Sequence, residues 1–190
     1  SKRGISGMFL ANRFPQISSP SMEEGESRGR DLLEGGVGLS KRTDAITSIG
    51  NKPIIERLAI ATGRLTMSSK SKTAIISKQI QKGDVLEAST IAAIQASKDT
   101  PRAIPHCHPI PLESCTVEWN WEENDLICTV TVSAHWKTGV EMEALNSVSN
   151  GLLCVLDMIK SVEKDEFGQY PNTEIHGIRV LKKKKANGHV

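Results

Sequence analysis

Aromatic side chains and long apolar runs are scarce in this 190-residue chain. Only 4% of its residues are aromatic, so the sequence offers few candidates for a platform on which nucleic-acid bases stack. No uninterrupted apolar run approaches the ~20 residues that a membrane-spanning helix needs. The stretch 1–15 holds one short apolar cluster, Met8 to Leu10, which is too small for the core of a signal peptide. The sequence therefore predicts a soluble, cytoplasmic protein that binds neither membranes nor nucleic acid.

An excess of one charge, paired cysteines and glycine-rich phosphate loops are also absent. The 24 Lys and Arg residues against 22 Asp and Glu leave a net charge of +2, so any basic site must be local. The four cysteines form no CxxC pair, and reduced thiols are expected rather than a disulfide framework. Neither GxxxxGK[ST] nor GxGxxG occurs, so phosphate binding has to depend on scattered Lys and Arg side chains.

The chain divides into an irregular first part and one domain. Residues 1–43 hold seven of the 15 glycines and show no sustained helical or strand periodicity. Such a segment buries too little apolar area to offset the entropy of ordering it. We therefore predict a flexible N-terminal extension over residues 1–47 and a single domain over residues 48–190.

Hydrophobic periodicity predicts strands and helices in mixed order within the domain. They are a strand from Ile54 with a bulge at Gly63, a helix from Ser68 or Ser69 to near Gly83, a helix from Ser89 or Thr90 to Pro101, a hairpin with its turn at 122–125, a helix from about Glu141 to Lys164, and a strand before the lysine run 182–185. Helices in this order can all cover one face of an antiparallel sheet. The predicted fold is α+β and ferredoxin-like, with an antiparallel sheet and helices packed on one face.

A proline-rich segment precedes the hairpin and carries several reactive side chains. Its three prolines within 105–111 fix the backbone and exclude both helix and central strand. His106, Cys107, His108 and Glu113 therefore lie on a rigid loop, where side chains are held for binding or proton transfer. A metal is less favoured, because a lone H-x-H pair matches no zinc spacing. As a structural alternative, Cys107 is a small buried side chain.

The longest helix has polar features at both ends. Residue 138 or 139 is expected to cap its start, with Glu141 and Glu143 in the first turn. Acids there are favoured by the helix dipole alone, although a helix N-terminus can also receive an anion. Near its C-terminus, Asp157 and Lys160 form an i, i+3 pair opposite the apolar stripe. That polar side is either a solvated face or part of a groove or subunit contact.

Five segments occur in a distinctive order: KGDV, IAAIQASK, IPHCHPIPLE, KTGVEMEAL and VLDMIKSVEKD. In this order and spacing they resemble the molybdenum cofactor biosynthesis protein C family, the cyclic pyranopterin monophosphate synthases. The CHP and TGVEMEAL strings are long and unusual, and the resemblance covers about residues 48 to 185. Family members convert 3',8-cyclo-7,8-dihydroguanosine 5'-triphosphate into cyclic pyranopterin monophosphate and diphosphate, a lyase step in molybdopterin synthesis.

The resemblance also implies an assembly and a set of site residues. It implies a hexamer, built as a trimer of dimers, with the active site at a subunit interface and a nucleotide or pterin as the small-molecule substrate. It implies no cofactor and no protein-bound metal, with a divalent ion accompanying the triphosphate left open. The implied catalytic residues are Asp157, Lys82 and Lys160, and the implied substrate-binding residues are His106, Cys107, His108, Met142, Glu143, Arg57 and Lys183. For the position given to Lys183, each of the four lysines 182–185 remains a candidate.

The implied residues suit the implied chemistry. Opening and re-forming a purine ring requires proton transfers, for which Asp157 and Lys160 are acid and base candidates. Expelling diphosphate builds negative charge that Lys82, Arg57 and Lys183 can stabilise in the transition state. Which lysine acts as acid and which as an electrostatic clamp stays open.

Two hypotheses from other functional classes make distinct predictions. A non-catalytic nucleotide or pterin binder on the same fold is expected to lack Asp157 or Lys160, and both are present. A metal-dependent hydrolase built on His106, His108 and Glu113 predicts a stoichiometric transition metal in the purified protein and inactivation by chelators.

Overall fold

The computed structural model describes residues 45–186, which form four strands and four helices. In chain order these are β1 (Ile55–Thr66), α1 (Ser69–Ile76), α2 (Val85–Lys98), α3 (Thr100–Ala103), β2 (Ser114–Glu122), β3 (Asp125–Trp136), α4 (Glu141–Glu163) and β4 (Glu174–Lys185). The predicted extension 1–47 lies outside the described residues except for its last three, and it stays a prediction. No helix within residues 45–186 combines the length and the apolar character that crossing a membrane requires.

The four strands make one antiparallel sheet in the order β2-β3-β1-β4. The central pair, β1 and β3, is in continuous register from Ile55 opposite Trp136 to Thr66 opposite Asp125. The hairpin between β2 and β3 turns at Glu123 and Asn124, as its alternating pattern predicts. This strand order, with its two crossover connections through helices, confirms the predicted ferredoxin-like α+β fold.

The core lies between the sheet and α4. Alternate residues of the central strands point to the helix side and are fully buried, as are those on one stripe of α4. The largest of them are Leu65, Leu126, Val130, Val132, Val148, Leu152, Val155 and Ile159. At 1.5 Å per residue the 23-residue helix α4 is about 34 Å long. Burial of its apolar stripe thus fixes its two ends at opposite sides of the domain.

Gly63 of β1 leaves no room for a side chain beneath α4. A Cβ atom placed there lies 2.7 Å from Val148 Cγ1 and 3.0 Å from both Ile178 Cγ1 and Leu152 Cδ1. The bulge predicted at Gly63 of β1 is assigned to the wrong strand, although the β1–β4 register does shift between Thr62 and Arg64. The extra residue lies in β4, on the opposite strand.

Gly63→Ala is expected to lower the free energy of unfolding by about 1–3 kcal/mol, because an added methyl group overpacks this contact. Urea denaturation of wild type and variant at the same protein concentration measures the change. Gly50→Ala is the matched control, since the nearest atom to its added methyl group is Ser48 Oγ at 3.8 Å. Equal unfolding midpoints for Gly63→Ala and wild type contradict close packing at this position.

Three predicted helix boundaries differ from the structure. α1 ends at Ile76 instead of continuing to Gly83, because the chain turns at Lys78, whose φ is 56°. α2 begins at Val85 and not at Ser89 or Thr90, since the side chain of Asp84 accepts a hydrogen bond from Glu87 N at 3.1 Å and caps the helix there. The same helix ends at Lys98, and the predicted stop, Pro101, lies in the first turn of α3.

The start of α4 and the end of β4 also differ from the predictions. Val140 is the N-cap of α4 and makes no side-chain capping bond, so neither Thr138 nor Gly139 has that role. The lysine run 182–185 belongs to β4 and is not a tail that follows it, because its four residues pair with Ile60 to Arg57 of β1. Pairing with a central strand therefore gives each of these lysines a defined position.

Candidate functional site

A cavity of about 550 Å³ opens beside the N-terminus of α4. The proline-rich loop, the first turn of α4 and the end of β4 supply its walls. Among the residues that line it are His106, Cys107, His108, Met142, Glu143 and Lys183. The structure thus brings together all but one of the predicted substrate-binding residues, and the exception, Arg57, lines a neighbouring cavity.

The loop that carries the two histidines is held at both of its ends. Cys107 N donates to Ile104 O at 2.9 Å, and Glu113 N donates to Ser133 O of β3 at 3.0 Å. Between these points Ile110 and Leu112 pack against the hydrophobic core. Fixed proline torsions and these anchors together hold the side chains at the cavity without regular secondary structure.

Glu143 is a buried acid inside this cavity. Its side chain is 3% exposed, and its Oε2 atom has no hydrogen-bond partner within residues 45–186. Burial raises the pKa of this carboxyl to about 7. Near neutral pH, Glu143 can therefore either donate or accept a hydrogen bond to a bound ligand. Burial, followed by the charge of Glu143, also raises the pKa of the Cys107 thiol, which disfavours a nucleophilic thiolate.

Glu143→Gln is expected to raise the free energy of unfolding by about 3 kcal/mol at pH 8 and by less than about 1 kcal/mol at pH 5. The folded-state pKa lies above the ordinary value of 4.5. The unfolded chain therefore releases this proton first, and the folded state loses stability as the pH rises from about 4.5 to about 7. Glutamine carries no charge and escapes that loss. Urea denaturation of wild type and variant at both pH values, at one protein concentration, measures the change in the free energy of unfolding. An equal change at both pH values contradicts the raised pKa of Glu143.

A second cluster joins Lys82, Asp157 and Lys160. Lys82 precedes Gly83, whose φ of 109° lets the chain turn just before α2. Lys82 Nζ lies 2.6 Å from Asp157 Oδ2 and donates to the Asp157 carbonyl oxygen at 2.9 Å. Lys160 Nζ lies 2.7 Å from Asp157 Oδ1. All three predicted catalytic side chains therefore meet, and each is about half exposed to solvent.

The electrostatics of this cluster favour fixed charges. Hydrogen bonds from Lys160 and then Lys82 lower the pKa of Asp157 to about 2. The same carboxylate raises the pKa of Lys160. At neutral pH the cluster consequently holds the Asp157 carboxylate between the side-chain nitrogens of Lys82 and Lys160.

The cavity and the lysine cluster lie far apart within one chain. Glu143 and Asp157 are 14 residues apart on α4, which at 1.5 Å per residue is about 21 Å along the helix axis. None of the three cluster residues lines the 550 Å³ cavity. Within one copy, the predicted catalytic and binding residues therefore occupy opposite ends of α4.

A smaller cavity of about 180 Å³ adjoins the first and contains Arg57, Lys183, Lys184 and Lys185. The guanidinium of Arg57 donates from Nε to Trp136 O at 3.3 Å and from Nη2 to Lys137 O at 3.4 Å. Of the lysine run, Lys183 alone lines both cavities. The sequence left each of the four lysines as a candidate for one position in the site. In the structure Lys183, Lys184 and Lys185 line the smaller cavity, and Lys182 lines neither cavity.

Comparisons with known proteins identify the family of this chain. The model of the MoaC family matches residues 46–186. This chain belongs to the MoaC family. It is 49% identical over 140 residues to the probable cyclic pyranopterin monophosphate synthase of Sulfurisphaera tokodaii, covering 74% of this chain and 93% of that protein. The resemblance that the sequence motifs indicate is thus confirmed.

Two further curated relatives show similar coverage. A probable cyclic pyranopterin monophosphate synthase of Pyrococcus abyssi is 46% identical over 140 residues, which cover 74% of this chain and 88% of the relative. A relative from Methanothermobacter thermautotrophicus has the same identity and the same two coverages, but its name is probable cyclic pyranopterin monophosphate synthase accessory protein. The names of relatives therefore differ on whether the protein catalyses the reaction itself.

The residues of the metal-hydrolase hypothesis do not come together in this MoaC family chain. The Glu113 carboxylate instead lies 2.8 Å from His135 Nδ1, and this contact raises the pKa of His135. Across residues 45–186, no three His, Cys, Asp or Glu side chains form a group that can hold a metal ion. The two histidines of the loop, His106 and His108, accordingly line the cavity as candidates for binding a ligand, and Glu113 is not their partner.

Proposed function

We propose that this chain is a cyclic pyranopterin monophosphate synthase of the cytoplasm, which converts 3',8-cyclo-7,8-dihydroguanosine 5'-triphosphate into cyclic pyranopterin monophosphate and diphosphate. The observation that carries the proposal is the complete Lys82–Asp157–Lys160 cluster, with both ammonium groups within 2.7 Å of one carboxylate. A protein that only binds the nucleotide does not need this cluster. The names of the relatives in Sulfurisphaera tokodaii and Pyrococcus abyssi support the same activity.

The proposed site combines two copies of the chain. The cavity and the lysine cluster are about 21 Å apart on α4, so one copy cannot apply both to a single substrate. We propose the hexamer, a trimer of dimers, in which the cluster of one subunit closes the cavity of another. Exposed apolar side chains on the helices support such contacts: Ile91 on α2 is 63% exposed and Leu153 on α4 is 54% exposed.

Each part of the site then has a separate role. Lys82 and Lys160 supply positive charge and protons while the purine ring opens and re-forms, and Asp157 fixes both ammonium groups. Glu143 forms a hydrogen bond to the ring in the cavity. Lys183 stabilises the charge of the departing diphosphate. The proposal includes no resident cofactor, and a divalent ion enters only with the triphosphate.

The direct test is incubation of the purified chain with the cyclic guanosine triphosphate substrate. Release of diphosphate together with the pterin product, at equal rates, is the expected result. Substrate binding without product, by a folded oligomer, overturns the proposal and indicates a binding protein. A stoichiometric transition metal, and loss of activity on chelation in the absence of any added divalent ion, point instead to the metal-dependent hydrolase.

A further inference from the structure

Two aromatic side chains within residues 45–186, Phe167 and Tyr170, are exposed to solvent. Phe167 is 77% exposed and Tyr170 is 39% exposed, whereas the three tryptophans are half-buried. Both residues lie in the loop that joins α4 to β4, shortly after Lys160 of the lysine cluster. In a chain with 4% aromatic residues, exposed rings beside a proposed site are candidates for contact with a ligand.

Two turns give this loop a defined shape. In the first turn, the Asp165 carboxylate accepts hydrogen bonds from Phe167 N at 2.9 Å and from Gln169 N at 2.8 Å. In the second turn, Thr173 N donates to Tyr170 O at 3.3 Å. Bonds of an aspartate side chain to the backbone that follows it are typical of ordered turns. The backbone of Tyr170 is therefore held between two turns.

A buried carboxylate ties the second turn to the end of α4. Glu163 is 7% exposed, and its Oε2 atom accepts a hydrogen bond from Thr173 Oγ1 at 2.6 Å. Its other oxygen accepts a hydrogen bond from the N-cap of α1. Glu163 follows Lys160 by three residues, so the two lie on adjacent turns of one helix face. Tyr170 is consequently placed beside Lys160. Its phenol adds to the rise in the pKa of Lys160, whose main cause is the hydrogen bond to Asp157.

The proposed shared site leaves one face of the substrate ring without a partner from the cavity. Among the described residues that line the 550 Å³ cavity, none is Phe, Tyr or Trp. In the proposed assembly this cavity receives the ring from one side, and the opposite side faces the copy that supplies the lysine cluster. Guanine and pterin share one planar pyrimidine ring. Stacking on an aromatic side chain is the usual protein contact with the face of such a ring.

We propose that Tyr170 is a further substrate-binding residue of the shared site, whose phenol ring stacks on the pyrimidine ring of the nucleotide while Lys160 acts beside it. This inference rests on the proposed function and on its site between two copies. Phe167 is not part of the contact, because it lies at the tip of the first turn and is about twice as exposed as Tyr170.

Calorimetric titration of the full-length oligomer with the product, cyclic pyranopterin monophosphate, tests this contact without turnover. Tyr170→Leu is expected to weaken product binding about tenfold, because leucine has no aromatic face. Tyr170→Phe keeps the ring and is expected to bind within about twofold of wild type. Phe167→Leu is the matched control, since this substitution removes an aromatic side chain from the same loop and is expected to leave binding unchanged.

Several results overturn the contact. Equal losses for Tyr170→Leu and Phe167→Leu show that the loop acts through its apolar character as a whole. A loss in Tyr170→Phe as large as that in Tyr170→Leu assigns the effect to the hydroxyl group. Unchanged binding by Tyr170→Leu, or no product binding by wild type, removes the contact altogether.

Turnover of the substrate, measured on the same variants, separates the contact from the proposed activity. A chain that binds the product through the ring of Tyr170 but does not convert the nucleotide retains the contact and loses the synthase. An active chain whose Tyr170→Leu variant binds the product as wild type does retains the synthase and loses the contact.

Discussion

An equimolar mixture of Asp157→Asn and His108→Asn chains, unfolded and refolded together, is expected to recover about a quarter of wild-type turnover. Each variant alone is expected to retain less than about 1%. In the proposed assembly, every composite site takes its lysine cluster from one copy and its cavity from another. After random assembly, half of the clusters and half of the cavities are intact, and one site in about four combines an intact pair.

The distance of about 21 Å along α4 makes this experiment decisive. If one chain supplied the whole site, every chain in the mixture would carry one defect, and the mixture would be as inactive as its components. An inactive mixture whose oligomers have the normal size therefore contradicts a site shared between two copies. Mixing the folded variants without unfolding is the control, because it shows whether subunits exchange.

Lys160→Gln is expected to lower kcat by roughly 10²–10⁴-fold while the Kd of the substrate changes little. The ammonium of Lys160 lies 2.7 Å from Asp157 Oδ1 and belongs to the cluster, so its loss removes charge and a proton from the transition state. Lys164→Gln is the matched control. Lys164 follows one turn later at the end of α4 and forms no ion pair in the part of the chain that the structure describes.

Single-turnover rates and equilibrium binding of the substrate separate the two effects. A variant with weaker binding and an unchanged rate of chemistry assigns Lys160 to a ground-state clamp. Equal losses for Lys160→Gln and Lys164→Gln indicate instead that the substitutions act on the end of the helix as a whole. Lys82→Gln, whose ammonium contacts the other oxygen of Asp157, is expected to behave like Lys160→Gln.

The sequence predicted best those elements whose hydrophobic pattern repeats over many residues and whose ends are set by residues next to them in the chain. α4 carries its apolar stripe over 23 residues, and the hairpin alternates on both sides of its turn. The start of α2 was missed because Ser89 and Thr90 are good cap residues in isolation. In the structure Asp84 caps the helix, and Ser89 is a buried residue within it. Local propensity ranks possible caps, and tertiary packing selects one.

The site was predictable in its residue types more than in its arrangement. The motif strings contain the three residues of the lysine cluster and all the predicted residues of the larger cavity except Lys183. The pKa values were not predictable. The pKa of Glu143 depends on its burial, and the pKa of Asp157 depends on hydrogen bonds from Lys160 and then from Lys82, which reaches it from a distant turn. The position of Lys183 required the β1–β4 register, because four identical lysines in a row carry no internal signal.

The register shifts of β4 have a consequence for how the sheet meets other proteins. β4 is an outer strand, and its pairing with β1 is irregular at two places. Bulges disrupt the even row of amide and carbonyl groups that an incoming strand needs, and lysines at such an edge repel a second copy of it. The border of the sheet that β4 forms is therefore protected against strand addition and fibre growth.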